Sequence, residues 1–416
     1  VQGIKGSMDA VIAAAVSKNT RTSGLYILKD REQAAYFQND LQYLTGRDVP
    51  LYPISYKKPY QYQETENANV LMRAEIMNRI LQRKQEALHI ITYSEALAEK
   101  VISKKSLIAT TINLQVGSQL NLNTINSQLQ EYGFERTDFV FEAGQFSIRG
   151  GILDIFSYAK ELPYRLELLG SEIESIRSFD PASQLSVEKI NQASILPNIQ
   201  TSLTRESRQS FFEFLPKDTT IWIQDLKDTI EVCHHSFQKA SKSYHDKLEA
   251  SDGTAVISEP SGLFETGASI EQQISEFSRI QFGNRIYDEV AETLVYEAEP
   301  QPSFHKNFDL ITEQLGQFYH KQYKCIIAAD APAQLERLRS IFEELDPGLE
   351  IEGLPISLKA GFIDHHTRVL CFTDHQLFDR FHKYKTQPQF SKSKALTLKE
   401  LSTLNVGDFV VHIDYG

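Results

Sequence analysis

The first ten residues have the spacing of a phosphate-binding loop without its chemistry. A working loop reads G-x-x-x-x-G-K-[ST]: backbone N–H groups cradle phosphate, the lysine contacts the β- and γ-phosphates, and the hydroxyl holds Mg²⁺. With Gly3 on the first glycine, Met8 stands at the second glycine, Asp9 at the lysine and Ala10 at the hydroxyl. A carboxylate at the lysine position would repel phosphate. We therefore predict a degenerate strand-turn-helix corner, including Gly6, that binds no nucleotide.

A second position for magnesium chemistry follows the strand predicted at 219–223. If the α/β stretches before and after the middle of the chain form one split domain, Gln224-Asp225 lie where a Walker-B Asp-Glu pair would bind metal. Gln224 in place of the aspartate leaves no Mg²⁺ ligand. We expect this chain to bind neither a cofactor nor a metal and to have no catalytic residues.

Two arginines stand on the predicted polar face of a small, largely antiparallel sheet within residues 141–180. Arg149 ends one alternating strand before Gly150-Gly151, and Arg165 lies in another, opposite its leucines. Arginine combines a planar fork of donors with an apolar stem, so the two residues beside an exposed Leu169 make a candidate docking patch. The alternative is a solvated face with incidental charges.

The remaining candidates for chemistry are isolated. The pairs His234-His235 and His365-His366 are adjacent in sequence, and neighbours in a helix or strand do not share a face for one metal. Asp374-His375 has no nucleophile at a recognisable spacing. We interpret all three as ordinary surface or packing residues.

Composition limits the class of protein. At 416 residues, 41% of them hydrophobic, the chain is long enough for about two to four domains of a soluble protein. No apolar run approaches the ~20 residues of a membrane span. Three scattered cysteines fit a reducing cytoplasm, and the net charge of −12 disfavours a main role in binding duplex DNA. The chain opens without Met and stops in mid-element, so we expect it to be part of a longer protein.

The elements that must position these residues alternate between helix and strand. Helices are predicted at 8–17, 31–44 (with Gly46 as C-cap), 94–102, 205–215, 226–249, 308–321 and 331–345, strands at 24–30, 88–92, 219–223, 324–329 and 368–373, and a loop at 251–269. This alternation predicts doubly wound α/β units. The short strands of residues 141–180 interrupt it.

Three blocks carry a resemblance to a known family. GQFSIRGGILDIF, LPYRLELLGSEIESIRSFD and the terminal VGDFVVHIDYG resemble the bacterial transcription-repair coupling factors (Mfd). The first two blocks also resemble UvrB, whereas the last resembles the start of the RNA-polymerase-interacting domain and is not a UvrB feature. The degenerate phosphate loop favours the coupling factors over UvrB.

The resemblance implies a multi-domain α/β architecture. A degenerate P-loop-type, UvrB-like α/β domain (1–112 and 199–303) is split by an inserted small α+β domain (113–198). A small α/β domain (304–390) and a linker with a truncated, β-rich start of the polymerase-interacting domain (391–416) follow.

The resemblance also implies partners. The parent proteins are ATP-dependent DNA translocases that displace stalled RNA polymerase and recruit UvrA for nucleotide excision repair; the motor with its ATP and Mg²⁺ sites, and most DNA contacts, would lie outside this chain. Family docking arginines fall on Arg149 and Arg165. A nearby position that is aromatic in some relatives is Leu169. We expect both arginines to be exposed, UvrA binding to be lost in Arg149→Ala with Arg165→Glu, and polymerase binding to be weak. The alternatives are a UvrB-like excision-repair protein and a general DNA-binding module.

Overall fold

The structure is a computed structural model that describes residues 1–56, 59–60, 67–83, 86–158, 160, 162–196, 208–250, 257–283 and 292–382. The helices are α1 (Met8–Asn19), α2 (Arg31–Thr45), α3 (Asn67–Gln82), α4 (Ser94–Leu97), α5 (Lys104–Thr110), α6 (Leu122–Glu131), α7 (Phe211–Phe214), α8 (Leu226–Ala250), α9 (Pro260–Leu263), α10 (Gly267–Ser275), α11 (Phe308–His320), α12 (Pro332–Leu345) and α13 (Asp374–Leu377).

The strands are β1 (Gly24–Leu28), β2 (Leu51–Tyr52), β3 (His89–Tyr93), β4 (Val101–Ile102), β5 (Ile112–Gln115), β6 (Glu135–Arg136), β7 (Gln145–Arg149), β8 (Ile152–Ile155), β9 (Tyr164–Leu169), β10 (Glu172–Phe179), β11 (Ser186–Ile190), β12 (Gln192–Ile195), β13 (Arg208–Gln209), β14 (Thr220–Ile223), β15 (Ser278–Gln281), β16 (Ala298–Pro300), β17 (Lys324–Ala328), β18 (Glu352–Leu354), β19 (Phe362–Asp364) and β20 (Val369–Thr373). These elements form two compact units.

The first unit contains the described parts of Val1–Ile54, Arg79–Val101 and Ser210–Gln387. Its first sheet has the order β15-β14-β1-β3-β2, and all of its neighbouring strands are parallel. The central strand β1 is buried along its whole length, as a parallel sheet covered on both faces requires. The predicted mixed α/β class with a parallel sheet is confirmed.

Local signals set the ends of α2. The Asp30 carboxylate accepts a hydrogen bond from the Gln33 backbone N–H at 2.8 Å, which satisfies one of the free donors of the first turn. Gly46 ends the helix with a φ of 66°, the left-handed conformation that glycine adopts without a steric cost. The predicted C-cap is confirmed.

A second sheet in the same unit has the order β16-β19-β20-β17-β18. Its strands β18, β17 and β20 are parallel, while β16 and β19 are antiparallel additions. The predicted helices and strands between 308 and 373 are each found within two residues of their predicted ends.

The second unit contains the described parts of Ser55–Asn78 and Ile102–Gln209. Its six-stranded sheet has the order β11-β10-β9-β8-β7-β6 and is antiparallel except between β6 and β7. One face packs on α6 and the β5–β12 pair around a core that includes Phe146, Leu153 and Leu166. The opposite face carries the arginines.

Three sequence predictions are wrong in detail. The helix predicted at 94–102 ends at Leu97, and the chain re-enters a strand at Val101. In the described part of 205–215, a capping box at Ser210 starts a single turn, α7, which Leu215-Pro216 ends. The loop predicted at 251–269 contains α9 and the start of α10 in its described part, because a proline and a Thr266 cap start these helices.

Candidate functional site

The register of β7, β8 and β9 collects polar side chains on one face of the six-stranded sheet. Ser147 lies opposite Asp154, and Asp154 lies opposite Arg165. Side chains of directly paired residues share a face. Since Arg149 is two residues beyond Ser147, it lies on this face as well, and the structure brings the two predicted arginines together around one carboxylate.

Asp154 joins the two arginines. Its side chain is completely buried, and both of its oxygens accept hydrogen bonds. Arg165 donates to Oδ1 through Nε at 2.8 Å and to Oδ2 through Nη2 at 2.9 Å, which is the bidentate geometry of a strong ion pair. Arg149 Nη2 donates to Oδ2 at 2.6 Å. A buried carboxylate requires compensation of this kind.

Each guanidinium also lies over an aromatic ring. The Arg149 Cζ is 4.5 Å from the ring centre of the half-exposed Phe139, and the Arg165 Cζ is 4.4 Å from that of the buried Phe179. A cation at this distance from a ring centre is attracted by the negative face of the ring. The two rings therefore reinforce the positions that Asp154 imposes.

Arg165 is more enclosed than Arg149. Its Nη1 and Nη2 donate to the backbone carbonyl and side-chain Oε1 of Gln184, both at 3.2 Å. The hydrogen bond to Asp154 raises the pKa of Arg165, so the guanidinium stays charged. Its side chain is 17% exposed and that of Arg149 is 34% exposed. The expectation that both arginines are exposed is wrong: the ion pair and Gln184 cover Arg165, and Arg149 is only partly exposed.

Leu169 lies at the outer end of β9 and is 74% exposed, the only one of the three predicted docking residues that is open to solvent. Beside it on β9, Glu167 pairs with Arg177 and accepts a hydrogen bond from Ser175 Oγ at 2.8 Å. That hydrogen bond is the largest cause of the lowered pKa of Glu167. The face thus has an enclosed charged cluster, an outer ion pair and one exposed apolar residue.

Sequence reasoning missed Asp154, Phe139 and Gln184 as parts of this site. A carboxylate that interrupts the apolar run of β8 was a usable signal for Asp154, since a charge at a buried strand position requires a partner. Phe139 and Gln184 reach the arginines from loops, and no sequence period relates them to the strands.

The degenerate loop lies against protein backbone. Gly3 and Gly6 have φ angles of 75° and 54°, and a Cβ on Gly6 would lie 2.4 Å from the Gly361 carbonyl oxygen. The Ser7 N–H donates to the Ala360 carbonyl at 3.0 Å, and the Ala360 N–H donates to Ser7 Oγ at 3.1 Å. The turn therefore binds the segment 359–361 with groups that a working loop would offer to phosphate.

Met8, Asp9 and Ala10, which follow this turn, have no side-chain groups suited to binding phosphate. Met8 and Ala10 are buried, and Met8 belongs to an apolar cluster with Leu358. Burial raises the pKa of the Asp9 carboxyl to about 6. Burial likewise raises the pKa of Asp40, on α2, to about 7, and its oxygens accept the Lys359 N–H at 2.9 and 3.2 Å.

Three of the other predicted candidates make hydrogen bonds within the protein. Gln224 Oε1 accepts from the Lys29 N–H at 3.2 Å, and Asp225 Oδ1 accepts from the Asp228 N–H at 3.1 Å in the first turn of α8. His365 Nδ1 lies 2.9 Å from the Tyr323 hydroxyl. Within the described ranges, no group of three or more His, Cys, Asp or Glu side chains is placed to hold a metal ion.

Comparison with known proteins shows that the segment carrying the arginine face matches a family model. Residues 112–200 match the UvrB interaction domain family. This segment includes every strand of the six-stranded sheet and the helix that packs on it. The arginine cluster therefore lies inside the part of the chain that has a family match.

Curated relatives cover the whole chain. The transcription-repair-coupling factor of Bacillus subtilis (strain 168) is 24% identical over 485 residues, which take in 100% of this chain and 41% of the relative. The proteins of the same name from Staphylococcus haemolyticus (strain JCSC1435) and Borreliella burgdorferi (strain ATCC 35210) are each 22% identical, again over 100% of this chain, with 41% and 39% of their own length covered.

The chain thus spans about two fifths of the length of these relatives. The predicted resemblance is confirmed: the whole chain is similar to the transcription-repair-coupling factors, and residues 112–200 within it match the UvrB interaction domain.

Proposed function

We propose that this chain recruits UvrA to stalled RNA polymerase in transcription-coupled nucleotide excision repair, and that UvrA binds the arginine face of residues 112–200. The observation that carries the proposal is the Arg149–Asp154–Arg165 cluster beside the exposed Leu169, inside a segment that matches the UvrB interaction domain. A few well-placed arginine and apolar side chains supply most of the affinity in protein interfaces.

We further propose that the α/β flanks are a UvrB-like, P-loop-type domain without nucleotide chemistry, split by the UvrA-binding domain at the boundaries given above. Asp9 at the lysine position, Ala10 at the hydroxyl position and the backbone of 359–361 against the turn support this. ATP-dependent translocation would then belong to a motor outside this chain. Contact with RNA polymerase is assigned to the terminal VGDFVVHIDYG block, which lies outside the described residues.

Calorimetric titration of purified UvrA into the 416-residue chain tests the docking surface. We expect saturable binding, weakened by at least about 30-fold in the double variant Arg149→Ala with Leu169→Ala, because an arginine anchor and an exposed apolar contact are both removed. Both positions are outer ones, so the thermal unfolding temperature should stay close to that of the wild type. Arg165→Glu is a less suitable test of binding, since it would place a second carboxylate against the buried Asp154 and could destabilise the fold.

Ile108→Ala is the matched control, because Ile108 is 59% exposed on α5, which is not part of the six-stranded sheet. Its affinity for UvrA should equal that of the wild type. Wild-type affinity in the double variant would contradict the proposed surface. Tight binding of duplex DNA by the chain, with no binding of UvrA, would favour a general DNA-binding module instead.

A further inference from the structure

The two arginines of the cluster differ in the donors that they can offer to a partner. Nε, Nη1 and Nη2 of Arg165 all donate already, to Asp154 and to Gln184. Arg149 makes one hydrogen bond to the described residues, from Nη2 to Asp154, which leaves its Nε and Nη1 donors without a partner among them. Arg149 is also twice as exposed as Arg165. A new ligand can reach Arg149 without breaking the ion pair of Arg165.

Phe139 is fixed in the position from which it supports Arg149. The Ser147 hydroxyl donates to the Asp138 carbonyl at 2.8 Å, and the Thr137 N–H donates to the Phe146 carbonyl at 2.9 Å. These bonds tie the segment before Phe139 to β7. The ring is 49% exposed, so one part of it contacts the guanidinium while another part remains open to solvent.

The register places Arg149 and Leu169 at one end of the face. Arg149 pairs with Ile152, and Ile152 pairs with Glu167, two residues before Leu169. Leu169 is therefore two strands away from Arg149 at the same end of the sheet. Leu169 is exposed there, and the half-exposed ring of Phe139 lies beside the Arg149 guanidinium.

We propose that Arg149 and Phe139 together are the contact that this face presents to UvrA, while Asp154 and Arg165 act behind them as positioning residues. The inference rests on the proposed UvrA docking. Asp154 and Phe139 hold the Arg149 guanidinium in one position before binding, so less side-chain freedom is lost when the complex forms. The free edge of Arg149 suits a carboxylate or carbonyl of the partner, and Phe139 supplies apolar area.

A double-mutant cycle tests this assignment. UvrA affinity is measured for the wild type, Arg149→Ala, Asp154→Asn and the variant with both changes. Arg149→Ala should weaken binding about 30-fold, as the loss of an anchor does. Asp154→Asn should weaken it about tenfold, because the amide offers donors to two guanidinium groups and releases Arg149. In the Arg149→Ala background, Asp154→Asn and Arg165→Lys should have no further effect on affinity.

A merely structural role of Asp154 would lower the affinity equally in both backgrounds. Additive effects in the cycle, with the wild type binding UvrA, would overturn the inference and leave the proposed function standing. Failure of the wild type to bind UvrA would overturn both.

Phe139 gives a second arm that does not risk the fold, since this side chain is half-exposed. Phe139→Leu should weaken UvrA binding about threefold to tenfold, and Phe139→Tyr should keep wild-type affinity, because the ring face is retained. Ile108→Ala remains the control. Equal affinities of Phe139→Leu and the wild type would overturn the role of Phe139, whether or not Asp154→Asn folds.

Discussion

Asp154 is the residue on which the charged face most depends for its structure. Its carboxylate is completely buried and has arginine partners on two strands. The pair of Glu167 and Arg177 lies on the same face but is about one-third exposed on both sides. The two ion pairs therefore allow a comparison of a buried and an outer carboxylate within one sheet.

We predict that Asp154→Ala lowers the free energy of unfolding by about 3 kcal/mol, because it leaves the enclosed Arg165 guanidinium and the partly exposed Arg149 guanidinium without their shared counter-charge. Glu167→Ala, the matched control, should cost less than about 1 kcal/mol, as exposed ion pairs do. Urea denaturation monitored by circular dichroism measures both. Equal costs for the two variants would show that the burial of Asp154 carries no special weight.

At this scale, sequence alone identified the arginines and the exposed leucine but not their arrangement. Alternation within each strand assigned Arg149 and Arg165 to the polar face correctly, because side-chain direction follows strict period two. It could not show that Asp154 would stand between them, since that depends on the register between strands. The exposure of Arg165 was mispredicted for the same reason.

At the scale of elements, the turn before α1 joins the first helices to the segment 359–361. Gly6 is the tightest position of this contact, with a positive φ and two carbonyl oxygens within 3 Å of where a Cβ would lie. Gly46, at the end of α2, has a similar φ of 66° but no atom within 4 Å of its Cβ position. A comparison of substitutions at the two glycines therefore distinguishes the cost of a positive φ from the cost of a steric clash.

We predict that Gly46→Ala costs about 1 kcal/mol of unfolding free energy, the ordinary strain of a left-handed alanine. Gly6→Ala should cost at least about 1 kcal/mol more, because backbone in 359–361 must also move. Chemical denaturation of the two variants side by side provides the measurement. The claim fails if Gly6→Ala is no more destabilising than Gly46→Ala.

The carboxyls of Asp9 and Asp40 beside this turn predict a pH dependence. Burial raises the pKa of Asp40 to about 7 and that of Asp9 to about 6, whereas an unfolded carboxyl has a pKa near 4. The folded chain then binds more protons than the unfolded chain between about pH 4 and pH 7. The contribution of these groups to stability is therefore fully present below about pH 4 and is lost as the pH rises to about 7.

Asp40→Asn should flatten this dependence, because one group contributes at most about 1.4 kcal/mol per pH unit and the amide does not titrate. Unfolding free energies at pH 5 and pH 7.5 suffice, with the exposed Asp309→Asn as control. A wild-type-like decrease between the two pH values in Asp40→Asn would refute the assignment.

Element prediction succeeded where local signals were strong. The cap at Gly46 and the long helix α8 follow from glycine at a helix end and from a sustained apolar period. The small helices α9 and α10 were missed because their Ser- and Gly-rich composition resembles a loop, although a proline and the Thr266 cap mark their starts. The binding of 359–361 by the phosphate-loop corner joins residues about 350 positions apart, which no local pattern can predict.

At the scale of the whole molecule, the proposed role needs no nucleotide in this chain. Mg²⁺–ATP at a concentration 100 times the dissociation constant of a functional site would stabilise the folded state by about 2.7 kcal/mol. We predict no change in the thermal unfolding temperature with millimolar Mg²⁺–ATP. A saturable increase would contradict the assignment of Asp9 and Ala10 as a non-functional site.

None of the helices in the described part of the chain combines the length and apolarity that crossing a bilayer demands. The chain carries a net charge of −12. One of its two units contains the turn before α1, and the other contains the sheet with the arginine face.

The carboxylate inside the arginine cluster also bears on selectivity against nucleic acid. Two uncompensated arginines on an open protein surface would attract any DNA duplex, because phosphates bind clustered positive charge without regard to sequence. The Asp154 carboxylate is part of the protein, so a phosphate must compete with it at every concentration. The carboxylate already accepts two hydrogen bonds from Arg165, through Nε and Nη2. Only the outer edge of Arg149, backed by a ring rather than by further positive charge, remains for a ligand. This arrangement favours the binding of a complementary protein surface over the binding of nucleic acid.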